Sequence, residues 1–453
     1  MILTEIISGT LEKYDYSSNS WVQVMTISNA NVIRADSQRQ CTNDDSFMIG
    51  GCFSATLNIT LEIPPPMTKF QVMGCRLALV SSLAGNIGVF WVTNASRKGR
   101  IFTLNCHDAI IWTETSSYCR TLNSLANSVI SMFPDDYSTY LQGWMDGERL
   151  TGYTNQFIQY ATGYRNLLGF DLYHLNENQG FDVCNYDVQI SIAMDSGKAD
   201  TDCPRDVYKM LAEMSFGFVY ADPDSDGHLT LGQFAEPRFG TAEIFANEIE
   251  YDSAEFADYR CMLQRVSAVA TGADGIKDSY SQTLSSPDYS QYSYFGITVE
   301  DNPFLDRSYQ LEIAKGHQAR LFLRQIAENM YDNFHRSSHA FAVRPFKCTV
   351  HGAHNFHLGQ KALIHYLEYD GTIKNHDSII TKICWSLNGG QTIMCCGGDS
   401  RTLSETLVFS KGDRVRKDVQ NHCDAIKRRT VGLSQAEYDA LTDKDDHTLY
   451  CII

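Results

Sequence analysis

The residues best placed to do chemistry are a run of alternating carboxylates and a group of histidines. Asp222, Asp224 and Asp226 alternate and lead into Gly227-His228-Leu229-Thr230. Alternate carboxylates can converge on a hard cation, and glycine permits the sharp turn a calcium loop needs. The twelfth position of such a loop is Gln233, which cannot give a bidentate carboxylate, and Pro237 opposes an exiting helix. The flanking residues instead predict a hairpin turn between strands at 218–221 and 228–231. Whether that turn also holds a weak cation stays open at the level of sequence.

His351, His354, His357 and His365 cluster, and His335 and His339 lie four apart. Zinc takes imidazole nitrogens, and a helical i, i+4 pair can chelate. The 335–339 pair lacks the metalloprotease glutamate, and 351–357 reads as loop or strand. No nucleophile elbow, P-loop or dinucleotide fingerprint is present. The expectation is therefore no catalytic residue, no cofactor and no metal site. Asp135-Asp136 and Asp443, Asp445 and Asp446 read as solvated acidic faces.

The fourteen cysteines include no C-x-x-C pair, and the adjacent Cys395-Cys396 suit one tetrahedral zinc site poorly. They read as small buried hydrophobes in a reducing compartment. The sequons at Asn58 and Asn94 then carry no meaning. With 37 basic and 54 acidic side chains the net charge is −17, which excludes a generally basic nucleic-acid binder. One local basic run exists, from Lys411 through Arg414, Arg416 and Lys417 to Lys427, Arg428 and Arg429. It reads as a solvated helix with Asp413, Asp418 and Asp424 interleaved, the alternative being a dock for an acidic neighbour or phosphate. The N-terminus has no signal-peptide pattern, and no apolar run is long enough to span a membrane. A soluble protein made in cytoplasm is expected.

These residues need elements to position them. A chain of 453 residues allows about two to four domains. Residues 1–20 are polar and read as an arm. Leu57, Ile59 and Leu61 alternate with Thr56, Asn58 and Thr60, and Phe102, Leu104 and Cys106 alternate with Thr103 and Asn105. Such a period of two predicts half-buried strands, and 21–112 reads as a β-domain. An α+β domain follows at 113–235, with a helix after Thr121 (Leu122, Leu125, Ala126, Val129, Phe133) and another after Asp202. Residues 236–410 form a second β-domain. It carries an inserted helical segment (305–335) whose apolar stripe is Ala319, Phe322, Leu323, Ile326, Ala327 and Met330. Ser- and Tyr-rich 279–294 reads as a surface loop, and 411–453 as a helical tail ending in a strand.

Taken in order, several segments resemble the tail-hub (baseplate hub) proteins of tailed bacteriophages and prophage tails. They are 27–33, 47–52 with 57–61, 90–93 with 102–110, the helix 204–216 with the hairpin through 226–231, and then 357–359, 370–371, 379–380 and 387–390. Gln360 stands where the family usually has Asp. Residues 433–441, running into Lys444-Asp445 and 448–450, resemble a short motif recurring in phage structural proteins.

The resemblance implies an α+β, β-rich fold: two barrel-like tail-hub β-domains, an intervening α+β domain and an inserted helix. It implies a homotrimer at the distal end of the tail tube, whose six barrels match a six-fold tube. Its partners would be tail tube and distal tail proteins, the tape measure protein, and tip spike, fibre or receptor-binding proteins. Phage DNA would pass through the lumen without specific binding, which an acidic chain suits. The location implied is the virion tail tip, after assembly in the bacterial host cytoplasm. The chain stops soon after the second barrel, so a bare hub without wall-degrading modules is expected. Two alternatives stand beside this: a cell-wall hydrolase or peptidase hidden in 134–200, and a calcium-dependent binding module at Asp222–Asp226.

Overall fold

The computed structural model describes residues 5–15, 17–18, 20–43, 47–63, 67–114, 216–225, 227–235, 237–272, 274–289, 292–302, 318–335, 343–368, 370–395, 406–410, 430–433 and 449–452, with single positions at 205–213 and 305–316. Strands dominate. The first part holds β1 (Ile7–Asp15), β2 (Ser20–Ser28), β3 (Val32–Gln40), the two-residue β4 (Gly51–Cys52), β5 (Thr56–Glu62), the short helix α1 (Lys69–Val72), β6 (Arg76–Ser81), β7 (Gly85–Lys98) and β8 (Ile101–His107). Then come β9 (Gly217–Asp222), β10 (His228–Gln233), β11 (Thr241–Ile244), β12 (Glu255–Phe256), β13 (Cys261–Thr271), β14 (Lys277–Thr283) and β15 (Ser293–Glu300). Helix α2 (Ala319–His335) is followed by β16 (Phe346–Val350), β17 (Lys361–Leu367), β18 (Ile373–Ile379), β19 (Lys382–Ser386) and β20 (Gly390–Cys395). Strands β21 (Thr406–Ser410), β22 (Thr430–Leu433) and β23 (Leu449–Ile452) complete the described elements.

Eleven strands form one sheet in the order β12-β16-β20-β19-β3-β5-β8-β7-β6-β1-β2. The join between the two halves of the chain is β3 against β19, antiparallel, with Ser37 opposite Trp385. The boundary expected between two separate β-domains is thus bridged by backbone hydrogen bonds. The sheet runs between β12 and β2 as end strands, so it is open. Smaller sheets are β10-β9-β4, β11-β17-β18 and β14-β13-β15-β21, the last packed against α2.

Alternation explains the strands. In β5 Leu57, Ile59 and Leu61 are buried while Asn58 is exposed, and in β8 Phe102, Leu104 and Cys106 are buried. Strand β7 is covered on both faces: Val89 and Trp91 enter one core, Phe90 and Val92 another. The second core belongs to the N-terminal strands, yet it takes in Trp385 from β19. Helix α2 buries Phe322, Leu323, Ile326, Ala327 and Met330, as its stripe predicts, and continues through Tyr331 and Phe334.

Two expectations need correction. Residues 1–20 are not a free arm: β1 pairs with β6 and β2, and Ile7 and Leu11 are fully buried. Polar residues between its buried positions, Ile7, Leu11 and Tyr14, hid this strand. Within 279–294, residues up to Thr283 belong to β14, because its alternating Ser and Tyr present one face to α2 and one to solvent. The helix expected after Thr121, the 134–200 segment and the basic run at 411–429 lie outside the described residues. The helix expected after Asp202 is described only at Arg205, Lys209, Ala212 and Glu213, all helical.

Candidate functional site

The carboxylate run folds as a hairpin. Strands β9 and β10 pair antiparallel with Asp222 opposite His228 and Gly217 opposite Gln233. Gln233, the would-be twelfth ligand, is a buried strand residue, followed by a three-residue 3-10 turn at Pro237–Phe239. The Asp224 N–H donates to Asp222 Oδ1 at 3.1 Å, and the Gly227 N–H donates to the Asp222 carbonyl at 2.9 Å. Gly227 sits at φ 74°, where a β-carbon would lie 2.8 Å from Val89 Cβ. The turn is therefore pressed onto β7 as closely as a glycine allows. Asp226 lies outside the described residues.

Side chains from both halves of the chain gather at this turn. Asn86, in β7, donates its amide to Asp224 Oδ1 at 2.7 Å. Arg39, in β3, donates to the Phe356 carbonyl at 2.7 Å. Burial pulls the Arg39 guanidinium below its ordinary range, while Asp224, Tyr220 and Asp222 favour its charge. Arg238 donates to the Tyr220 hydroxyl at 3.0 Å and lies over the Phe239 ring. His357 stacks on the other partner of that contact, Phe239, with centroids 4.0 Å apart, and its Nδ1 is 3.6 Å from Asp224 Oδ2. Burial pushes His357 down to about 4; Arg39 adds to this and Asp224 opposes it.

The chemistry of this cluster is charge matching. The Asp222 and Asp224 carboxylates favour the charge of the Arg39 guanidinium, and the His357 imidazole, close to Asp224, is neutral at neutral pH. A partly buried arrangement of this kind fixes register and orientation rather than adding much net stability. Carboxylates whose charge is already balanced in part by Arg39 attract a further cation less. The cluster links β3, β7, the β9–β10 hairpin and the 356–357 segment.

The other histidines do not converge on one point. His351 approaches Glu250 at 3.7 Å, His354 reaches Glu248 at 3.1 Å, and His365 lies between Asn375 and Glu243 at 2.8 and 3.0 Å. His335, the last residue of α2, donates to the Leu263 carbonyl of β13 at 2.9 Å, and His339 lies outside the described residues. Among the described residues no three His, Cys, Asp or Glu side chains group as metal ligands. The described cysteines carry no disulfide, and burial pushes the thiols of Cys75 and Cys261 up to about 11. Sequence reading missed Arg39, Asn86 and Arg238, and no local signal marks them, because each acts through partners distant in sequence. It also missed Asp108, buried and accepting from Ser54, Ala55 N and Ile110 N, whose carboxyl burial pushes up to about 6.

Residues 431–453 match the family model described as phage tail tip domain. That match supports a structural protein of a phage tail, located at the virion tail. Within the matched segment, β22 and β23 pair in parallel, with Val431 opposite Tyr450 and Leu433 opposite Ile452. The two ends of the family segment are thus held side by side. Among solved structures, a chain of a topological model of the p2 virion baseplate in activated conformation is similar at 11% identity, covering 87% of this chain and 99% of that one. Its TM-score of 0.26 is too low to establish a shared fold. No curated protein matches the chain.

Proposed function

We propose that this chain is the trimeric hub at the distal end of a phage tail, adapting the six-fold tube to three-fold tip components and forming the channel for DNA exit. The observation that carries the reading is the tail-tip match at 431–453, at the end of a chain whose preceding elements are largely strands. In this reading the strand blocks 21–112 and 236–410 are the two barrel-like domains, with 113–235 between them. One copy would present two such blocks, and three copies six. The pairing of β3 with β19 supports a rigid connection between blocks, as a ring under load requires. A net charge of −17 suits a passage through which DNA slides without adhering. The partners proposed are tail tube and distal tail proteins, the tape measure protein, and tip spike, fibre or receptor-binding proteins, with no catalysis by this chain.

The test is a reconstruction of the tail tip, with antibody labelling of this chain on intact particles. Three copies on the tail axis at the distal end are expected. Label off the axis, or along the shaft, would overturn the proposal.

A further inference from the structure

In this acidic chain, one described surface is locally basic and apolar together. Helix α1 has a single turn, and Val72 is its buried residue. Phe70 lies two positions earlier, about 200° around the helix axis, and so faces away from the core. It is 76% exposed, with Met73 at 39%. The tip of the β7–β8 hairpin stands beside it: Arg97 donates to the Met67 carbonyl at 2.9 Å and to the Gly99 carbonyl at 2.7 Å. That tip brings Lys98, Arg100 and the 42% exposed Ile101. Lys69 lies 5.0 Å from the Phe70 ring centroid. The one acidic group paired here is Glu62, with Arg100 at 2.9 Å. Lys98 pairs with no acidic side chain among the described residues.

An aromatic ring, a methionine and two arginines exposed together have the make-up of a protein interface core rather than of ordinary surface. Their charge identifies the partner. The rest of the chain is more negative than its total of −17, so another copy presents an acidic surface to this patch. We propose that the patch formed by Lys69, Phe70, Met73, Lys98, Arg100 and Ile101 docks on the acidic surface of a second copy of this chain. Such a contact is heterologous, with different surfaces on the two sides, and repeated copies form a ring when the rotation between neighbours closes. The proposal rests on the homotrimeric reading above and names the surface that would build it.

The experiment uses the full chain. Sedimentation equilibrium is measured for the wild type, Phe70→Glu and Lys98→Glu, with Phe70→Ala as the milder variant and circular dichroism as the fold control. Carbodiimide cross-linking of mixed ¹⁴N- and ¹⁵N-labelled chains then identifies links between copies. The expected result is self-association weakened about tenfold or more by Phe70→Glu and by Lys98→Glu, weakened by added salt, with links from Lys69 or Lys98 to acidic residues of the other copy. Variants that associate like the wild type, links that avoid these lysines, or a chain monomeric at every concentration would each overturn the proposal. So would patch-dependent binding to phosphatidylglycerol vesicles without self-association, which would assign the patch to a lipid surface. A three-fold ring with this patch facing solvent would overturn this inference alone and leave the tail-hub reading standing. Antibody label off the tail would overturn that reading without bearing on the measured association.

Discussion

The indole Nε1 of Trp385 donates to a side-chain oxygen of Glu5 at 2.7 Å, across 380 residues of chain. The Ser81 hydroxyl donates to the same oxygen, and the Asn388 N–H reaches the other at 2.7 Å. Asn388 has φ 62°, a conformation asparagine tolerates better than most residues, in the turn joining β19 to β20. Glu5, 2% exposed, thus ties the chain start, β6 and the β19–β20 turn into one core.

Glu5→Ala should therefore destabilise the protein by about 3 kcal/mol, because it removes the acceptor of the buried Trp385 and Ser81 donors and of the Asn388 N–H. Urea unfolding of variant and wild type measures this. A loss well under 1 kcal/mol would show that the three donors find other partners.

Gly227→Ala tests how closely the β9–β10 turn sits on β7. The positive φ and the 2.8 Å approach to Val89 both oppose a methyl group. The expected cost is about 2 kcal/mol or more, with Val89→Gly in the same chain, which removes the crowding β-carbon, recovering part of it. No recovery would mean that backbone strain alone sets the cost.

His376 is fully buried among Phe256, Phe346 and Tyr366, and burial pushes its imidazole down to about 4. The unfolded chain binds this proton near pH 6.5. The stability contributed by the neutral ring is thus present above that value and lost as pH falls toward 4. His376→Phe should flatten the fall in stability between pH 7 and pH 4.5 by about 2 kcal/mol. Unfolding curves at the two pH values provide the comparison, and parallel losses in both proteins would refute it.

Asp108 behaves with the opposite sign. Burial raises its carboxyl to about 6, so the folded state holds the proton more tightly than the unfolded one. Its contribution is complete below about pH 4 and is lost as pH rises through about 6. Relative to Asp108→Asn, the wild type should be more stable at pH 4 than at pH 7 by about 3 kcal/mol. An unchanged difference across that range would show that Ser54, Ala55 and Ile110 keep the carboxylate charged at no cost.

Much of the local structure was legible before any coordinates. Leu57-Ile59-Leu61 and Phe102-Leu104-Cys106 announce strands because a half-buried strand repeats every two residues. The α2 stripe announces a helix for the corresponding reason at 3.6. The hairpin at Asp222–Gly227 was legible because Gln233 and Pro237 spoil the rival loop. The strand β1 was not, since Ile7 and Leu11 are its only fully buried anchors and lie four apart with Gly9 between them. Gly9 is there because a β-carbon would meet the Ala78 carbonyl of β6, a neighbour visible only in three dimensions.

The candidate site divides in the same way. By itself the sequence determined which residues could carry charge or bind a cation, where the turn at Asp222 falls, and that residues 433–450 resemble a short motif of phage structural proteins. These depend on residue chemistry and on spacings of a few residues. Tertiary structure alone decided that Asn86 reaches Asp224, that β3 pairs with β19, and that Glu5 receives Trp385. Backbone donors and acceptors are the same on every strand. Which strands pair, and which side chains then meet, is therefore selected by how two cores close around β7, not by any pattern within one segment.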